Sequence, residues 1–151
     1  MPDFDTQEDR LWRSLMRLNA ALPRLLEDDL VRGAGLSLSE FAVLLVLSEA
    51  GAAGRRMNDL ALAGGLSPSR VTRVVAELER RGLVEKSPSP EDARGNIAVA
   101  TPAGRKALRS AYPVQVKRAR EILFDHLDPA DVAAMGGALS QFLDRVNRAQ
   151  R

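Results

Sequence analysis

The chain has 151 residues, of which 45% are hydrophobic and 28% charged, and its formal net charge is +2. That length suits one domain or two small coupled lobes with a buried core, and the composition excludes a disordered or fibrous chain. The absence of cysteine excludes disulfides, thiolate metal sites and thiol redox sensing, and the single histidine, His126, argues against most metal and Ser-His-Asp centres.

The first predicted element is an amphipathic helix over residues 8–30. Leucines recur there at steps of three and four, which is the spacing of one helix face: Leu11, Leu15, Leu18, Leu22 and Leu25 or Leu26. Pro23 interrupts the pattern and is expected to bend the helix. The segment Gly33-Ala34-Gly35 is expected to end it.

The second predicted element begins at Ser37, whose spacing to Glu40 is that of a capping box. The residues that follow, 41–47, are all apolar, and such a run fits either a buried strand or a buried helix. The capping box favours the helix, which would then be buried on all sides.

A short helix, a glycine turn and a longer helix come next. Asn58 is the expected cap of the short helix over 59–63, and the glycines at 64–65 end it. Ser67-Pro68 then supplies a cap and a proline at the first helical position, and this helix is expected to run to about Arg81. Its apolar residues have the spacing of a core stripe: Val71, Val74, Val75 and Leu78.

A predicted β-hairpin follows, with strands at 83–87 and 96–100 joined by the polar loop 88–95. The order of helix, turn, helix and hairpin is the layout of a winged helix-turn-helix, a module that reads DNA. With the apolar stripe facing the core, the other side of the longer helix presents hydroxyls and guanidiniums: Ser69, Arg70, Thr72 and Arg73. Such groups bind phosphates and base edges. A solvated surface explains this helix face equally well on its own, but the hairpin favours DNA contact, and Arg94 on the hairpin loop suits a narrow minor groove.

Two long helices complete the chain. One opens at Thr101-Pro102, is expected to bend at Pro113 and runs to about Leu127; the last opens at Asp128-Pro129. The last helix carries an apolar stripe: Val132, Met135, Leu139, Phe142, Leu143 and Val146. Together with the leucines of the first helix, this stripe is more apolar surface than one lobe of this size should expose, which predicts a homodimer.

Five pieces of the sequence keep an order and spacing that are specific when taken together. They are Asp59-Leu60-Ala61, residues 66–75, residues 78–84, Pro90-Glu91-Asp92-Ala93-Arg94, and Thr101-Pro102-Ala103-Gly104. In this order they resemble the MarR-type family of multiple-antibiotic-resistance regulators, and the helices on each side extend the resemblance over nearly the whole chain.

The resemblance implies a mainly α fold with one β-hairpin wing. Residues 1–35 and 113–151 would form dimerisation helices around a winged helix-turn-helix lobe at 36–112. It also implies a bacterial, homodimeric transcription factor that binds double-stranded DNA, usually a repressor released by a small aromatic or anionic ligand. Within the wing, Asp92 would orient Arg94 for the minor groove.

Two groups of site residues are therefore expected. The DNA contacts are Ser67, Ser69, Arg70, Thr72, Arg73, Asp92 and Arg94. An effector pocket would be lined by the bulky residues near the hinge between the dimer and DNA lobes, with Arg13 as the anchor for an anion. Those residues are Trp12, Met16, Phe41 and Tyr112, and an ordinary core is the alternative interpretation of all four.

Other functions find less support in the residues. No nucleophile–base pair, phosphate loop or metal cluster is present, so we expect neither an enzyme nor a cofactor, and His126 is interpreted as a surface residue near a helix end. A winged helix that binds protein instead of DNA is the alternative, although it would present an acidic or apolar recognition face. No apolar run approaches the roughly 20 residues of a membrane span. Because the acidic start, Met1–Asp5, lacks the layout of a signal peptide, we expect a cytoplasmic protein.

Overall fold

The computed structural model describes residues 3–88 and 96–149, and in those residues it shows helices packed around one small antiparallel sheet. The elements in chain order are α1 Thr6–Ala34, α2 Leu38–Ala50, β1 Arg55–Arg56, α3 Met57–Ala63, α4 Pro68–Arg80, β2 Val84–Pro88, β3 Asn96–Ala100, α5 Pro102–Ile122 and α6 Pro129–Ala149. Single turns of 3-10 helix lie at Gly51–Ala53 and Phe124–His126. The predicted winged helix-turn-helix order is confirmed.

Side-chain caps determine where several helices begin. Ser37 Oγ accepts the backbone N–H of Glu40 at 3.2 Å, and Glu40 Oε2 accepts the N–H of Ser37 at 2.7 Å, which is the predicted capping box at α2. Ser67 and Thr101 cap α4 and α5 by accepting the backbone N–H groups of Arg70 and Gly104, and each has a proline directly after it. These side chains satisfy N–H groups that the first turn of a helix cannot bond internally.

Some boundaries differ from the sequence prediction. Arg56 is the cap residue of α3, so Asn58 lies inside the helix, and its expected role as the cap is wrong. The two-residue strand β1 is too short to leave a pattern in the sequence. The predicted helix end near Leu127 is also wrong, because α5 ends at Ile122 and the 3-10 turn follows. Pro23 and Pro113 both lie inside continuous helices.

The hydrophobic core lies in the middle of the chain. Helix α2 passes through it with Val43, Leu44 and Leu47 fully buried, which confirms the prediction of a buried helix. Strand β3 is the central strand of the sheet, between β1 and β2, and buries Ala98 and Ala100. The start of α5 lies close to the base of the wing, since a Cβ added at Gly104 would overlap the carbonyl oxygen of Leu83.

The outer helices are much more exposed. No residue of α6 among those described is buried, and only Leu30 is buried in α1. The two long helices α1 and α5 are joined by Arg118, whose Nε donates to the carbonyl oxygen of Leu25 and lies 3.2 Å from Asp29 Oδ2. Large apolar side chains remain exposed on α1 and α6, among them Leu11, Trp12, Met16, Met135, Leu139, Phe142 and Leu143.

Among the described residues, no single helix is long and apolar enough to cross a membrane. Only the bent pair formed by Thr6–Ala34 and Leu38–Ala53 has the length and composition for it when the two are taken together.

Candidate nucleic-acid interface

Helix α4 has one buried and one exposed side. Val71, Val75 and Leu78 are almost completely buried and Val74 is half-buried, which confirms the predicted core stripe. The opposite side exposes a polar set near the N-terminal end of the helix: Ser69, Arg70, Thr72 and Arg73. The helical period therefore brings together four of the residues expected to contact DNA.

The hydroxyls of this region lie at the N-terminal end of α4. Ser67 Oγ accepts the backbone N–H of Arg70 at 3.3 Å and lies 3.3 Å from Ser69 Oγ. Thr72, one turn further along, donates from Oγ1 to the carbonyl oxygen of Pro68 at 2.9 Å. The positive end of the helix dipole and the hydroxyls of Ser67 and Ser69 thus lie together at the exposed start of the helix, which suits a phosphate group.

The two arginines of α4 have different surroundings. Arg70 Nε donates to Ser39 Oγ at 2.9 Å, and Ser39 is a buried residue of α2. Arg73, by contrast, has no hydrogen bond or ion pair with any described residue. Both side chains line a groove of about 370 Å³ between α2 and α4, together with Ser37, Glu40, Val74 and Glu77.

Both acids of this groove are already neutralised by other arginines. Glu40 Oε1 lies 2.9 Å from Arg81 Nη1, and Glu77 Oε2 accepts a hydrogen bond from Arg80 Nε at 2.9 Å. The hydrogen bond from Arg80 holds the pKa of Glu77 below its ordinary value and raises the pKa of Arg80. The positive charge of Arg70 and Arg73 is therefore left without an acidic partner among the described residues.

The wing is attached to α4 at its base. Lys86 Nζ of β2 lies 2.7 Å from Glu79 Oε2 of α4, and Thr101 Oγ1 donates to the carbonyl oxygen of Gly82 at 2.8 Å. Strands β2 and β3 pair in register from Val84 opposite Ala100 to Pro88 opposite Asn96. The expected contacts Asp92 and Arg94 lie outside the described residues.

The structure adds basic residues to the wing sheet that the sequence analysis did not single out. Arg55 and Arg56 form the exposed strand β1 and pair with Ala98 and Ile97 of β3. Their only signal in the sequence is an arginine pair between a glycine turn and the short helix.

A separate cavity of about 700 Å³ lies between α2, α5 and the start of α6. Two of the residues expected for an effector pocket meet there, since the rings of Phe41 and Tyr112 stack with their centroids 6.3 Å apart. The remaining lining residues are Leu45, Gln115, Val116, Ala119, Arg120, Phe124, Leu127, Pro129 and Val132. Gln115 Oε1 is buried and has no hydrogen-bond partner among the described residues.

The other residues expected at an effector pocket lie on α1 and do not line this cavity. Trp12 packs near Phe4 with 6.1 Å between the ring centroids, and Met16 is exposed. Arg13 forms an exposed ion pair with Asp9, where Nε and Oδ2 are 2.7 Å apart. Gln115 and Arg120 of the cavity were not predicted from the sequence, although both follow Tyr112 on α5 at helical spacing.

His126 and the acidic residues do not gather into a metal site in the described ranges, 3–88 and 96–149. His126 is exposed, and its Nε2 lies 3.0 Å from the carbonyl oxygen of Glu121 at the end of α5. This position matches its interpretation as a surface residue.

Comparisons with known proteins agree on one family. A model of the MarR family matches residues 34–95. The transcriptional repressor MprA of Escherichia coli (strain K12) is 30% identical over 115 residues, which cover 75% of this chain and 64% of the repressor. The chain thus matches somewhat less than two thirds of the length of this relative.

Solved structures extend the similarity to most of the fold. Sco3205 of Streptomyces coelicolor, a MarR family transcriptional regulator in complex with DNA, is 31% identical, with a TM-score of 0.82 and coverage of 94% of this chain and 89% of that one. CouR of Rhodococcus jostii RHA1, bound to p-coumaroyl-CoA, is 26% identical, with a TM-score of 0.76 and coverage of 93% and 96%. MprA is a transcriptional repressor, and Sco3205 is a transcriptional regulator. The similarity to Sco3205 in sequence and in fold runs along almost the entire length of that protein and of this one. This chain therefore belongs to the MarR family.

Proposed function

We propose that this protein is a ligand-responsive transcriptional repressor that binds double-stranded DNA as a homodimer in the bacterial cytoplasm. The observation that carries the proposal is the exposed polar side of α4, where Arg70 and Arg73 have no acidic partner among the described residues. A recognition helix of this kind enters the major groove while the wing reaches the minor groove. The structure of Sco3205 in complex with DNA supports DNA as the partner.

Residues 1–35 and 113–151 are the dimerisation segments of this proposal, and residues 36–112 are the DNA-binding lobe. The apolar residues that α1 and α6 leave exposed support the assignment, since a second copy would cover them. We assign Trp12 and Met16 to this contact. A two-fold dimer presents two recognition helices, so its operator should be a pseudo-palindrome with half-sites about 10 bp apart.

Arg73 is the residue that we assign to base reading. Its guanidinium is free of described partners, so both of its Nη groups are available to pair with O6 and N7 of a guanine. Ser67 and Ser69 are assigned to phosphate contacts at the first turn of α4, and Thr72 is assigned to a phosphate contact one turn further along. Asp92 and Arg94 remain predictions for the minor groove.

The cavity at Phe41 and Tyr112 supports the ligand response. Its lining is mostly apolar, with stacked rings at one side, the unbonded Oε1 of Gln115 and the cation of Arg120. These features suit a small aromatic acid whose hydroxyl donates to Gln115 and whose carboxylate meets Arg120. The p-coumaroyl-CoA bound to CouR supports the aromatic part of this ligand class, because its acyl group carries an aromatic ring.

The test is selection of binding sites from random DNA, followed by titration of the selected site. Replacing Arg73 by Ala should cost about 1–3 kcal/mol of binding free energy and relax the preference at one base of each half-site. The matched control is Arg109→Ala, which removes an exposed arginine of α5. Selection without any enriched inverted repeat would favour the alternative function, a winged helix that binds protein.

A further inference from the structure

We infer that Ser39 is a positioning residue for DNA reading, and that it acts with Glu40 to hold both ends of α4. We call these two residues, at the N-terminal turn of α2, the α2 clamp. The inference rests on the proposed function, because it explains how the recognition helix keeps its orientation.

The contact at the N-terminal end of α4 is a single bond across 31 residues of sequence. Ser39 is 7% exposed, and its Oγ accepts the Nε–H of Arg70 at 2.9 Å. The other donors of that guanidinium have no partner among the described residues, so they remain available to a phosphate. Arg70 is therefore oriented before DNA arrives, and less rotamer freedom is lost on binding.

The contact at the C-terminal end of α4 comes from the adjacent residue of α2. Arg81, which follows the last turn of α4, donates from Nη1 to Glu40 Oε1 at 2.9 Å and from Nη2 to the carbonyl oxygen of Gly35 at 3.0 Å. Glu40 is 8% exposed, and its second oxygen accepts the N–H of Ser37. Loss of the Arg81 contact would leave one oxygen of this buried carboxylate without a partner. Because such a charge is costly to bury, the ion pair is expected to persist.

The two contacts together restrict the motion of α4. Ser39 and Glu40 are neighbours on α2, whereas Arg70 and Arg81 lie at opposite ends of α4. Rotation or sliding of α4 along α2 would break at least one of the two bonds. The clamp is also connected to α1, because Glu27 Oε2 accepts the N–H of Leu38 at 2.8 Å.

The decisive experiment is a double-mutant cycle on the full chain with the selected site and with scrambled DNA. We expect Ser39→Ala to weaken binding to the selected site by about tenfold, since the hydrogen bond it removes involves a charged group. In the Arg70→Ala background the same change should have no further effect. Ser48→Ala, another serine of α2, is the matched control and should bind like the parent.

A second measurement tests the clamp without DNA. In spectra of arginine labelled with ¹⁵N, the Nε–H of Arg70 should exchange slowly in the parent and at the ordinary rate in Ser39→Ala. If the Nε–H of Arg70 exchanges slowly but DNA selection finds no sequence preference, the α2 clamp is supported and the proposed function is refuted. Equal exchange rates in the two proteins, or an equal loss of binding by Ser39→Ala in the parent and in Arg70→Ala, would overturn the inference.

Discussion

The DNA-binding lobe and the outer helices use similar apolar side chains in opposite ways. Of the buried apolar residues described, all except Leu30 lie between residues 36 and 111, whereas α6 buries none. Phe142 and Leu143 of α6 are 55% and 56% exposed, although their helical spacing is that of a core face. The lobe buries its apolar residues within one chain, whereas the outer helices leave theirs in water, where the second copy of the proposed dimer would cover them.

The largest expected effect is on assembly. Replacing Leu139 and Leu143 by Glu should cost about 3–5 kcal/mol per buried unpaired charge, so the dimer should dissociate at micromolar concentration. Sedimentation equilibrium should then show the 16.4 kDa chain. Gln141→Glu places the same charge on the opposite side of α6 and should leave the dimer intact. If the parent protein already sediments as a monomer, a second copy does not cover the apolar surface of the outer helices.

The next prediction compares a core residue of the lobe with an exposed apolar residue of α6, by how the destabilisation on replacement depends on protein concentration. Leu44 is fully buried in α2, so Leu44→Ala should lower the free energy of unfolding of the lobe by about 2–5 kcal/mol at any protein concentration. Leu139→Ala should instead act mainly through dimer dissociation, so its effect should shrink as the concentration rises. Denaturant titrations of both variants at two concentrations measure this difference, and parallel behaviour would remove the distinction.

The smallest effect concerns an exposed ion pair of α4. The hydrogen bond from Arg80 lowers the pKa of Glu77, so the carboxylate should titrate below its ordinary value of 4.5 in the parent. In Arg80→Ala the pKa should rise towards that value, as NMR titration of the Glu77 side chain would show. A lowered pKa adds stability above the unfolded-state pKa, and this stability is lost as pH falls through the folded-state pKa. Because the pair is exposed, unfolding at neutral pH should barely change.

Local patterns made the lobe predictable. The cap and proline at Ser67-Pro68 and the valine stripe of α4 depend on residues only a few positions apart, so the helix and its exposed side followed from the sequence. Strand β1 did not, because two residues have no period and the strand exists only by pairing with β3.

The site was predictable to the same extent. Its side chains on α4 follow from the helical period, but the bonds of Arg70 to Ser39 and of Arg81 to Glu40 join residues 31 and 41 positions apart. No local spacing encodes such contacts. In the cavity between α2, α5 and α6, Phe41 and Tyr112 are predictable from their size, whereas the role of Gln115 depends on the burial of its unpartnered oxygen, which no local pattern encodes.

The glycines of α5 and α6 show how a map of tolerated substitutions would separate two sources of constraint. Gly104 can accept no side chain, because the backbone of the same chain occupies the space of its Cβ. Gly136 and Gly137 of α6 have nothing within 4 Å of that position, so this chain alone would tolerate alanine at both. If alanine is not tolerated at Gly104, the cause is packing within the chain. If it is not tolerated at Gly136 or Gly137, the cause is the close approach of another molecule.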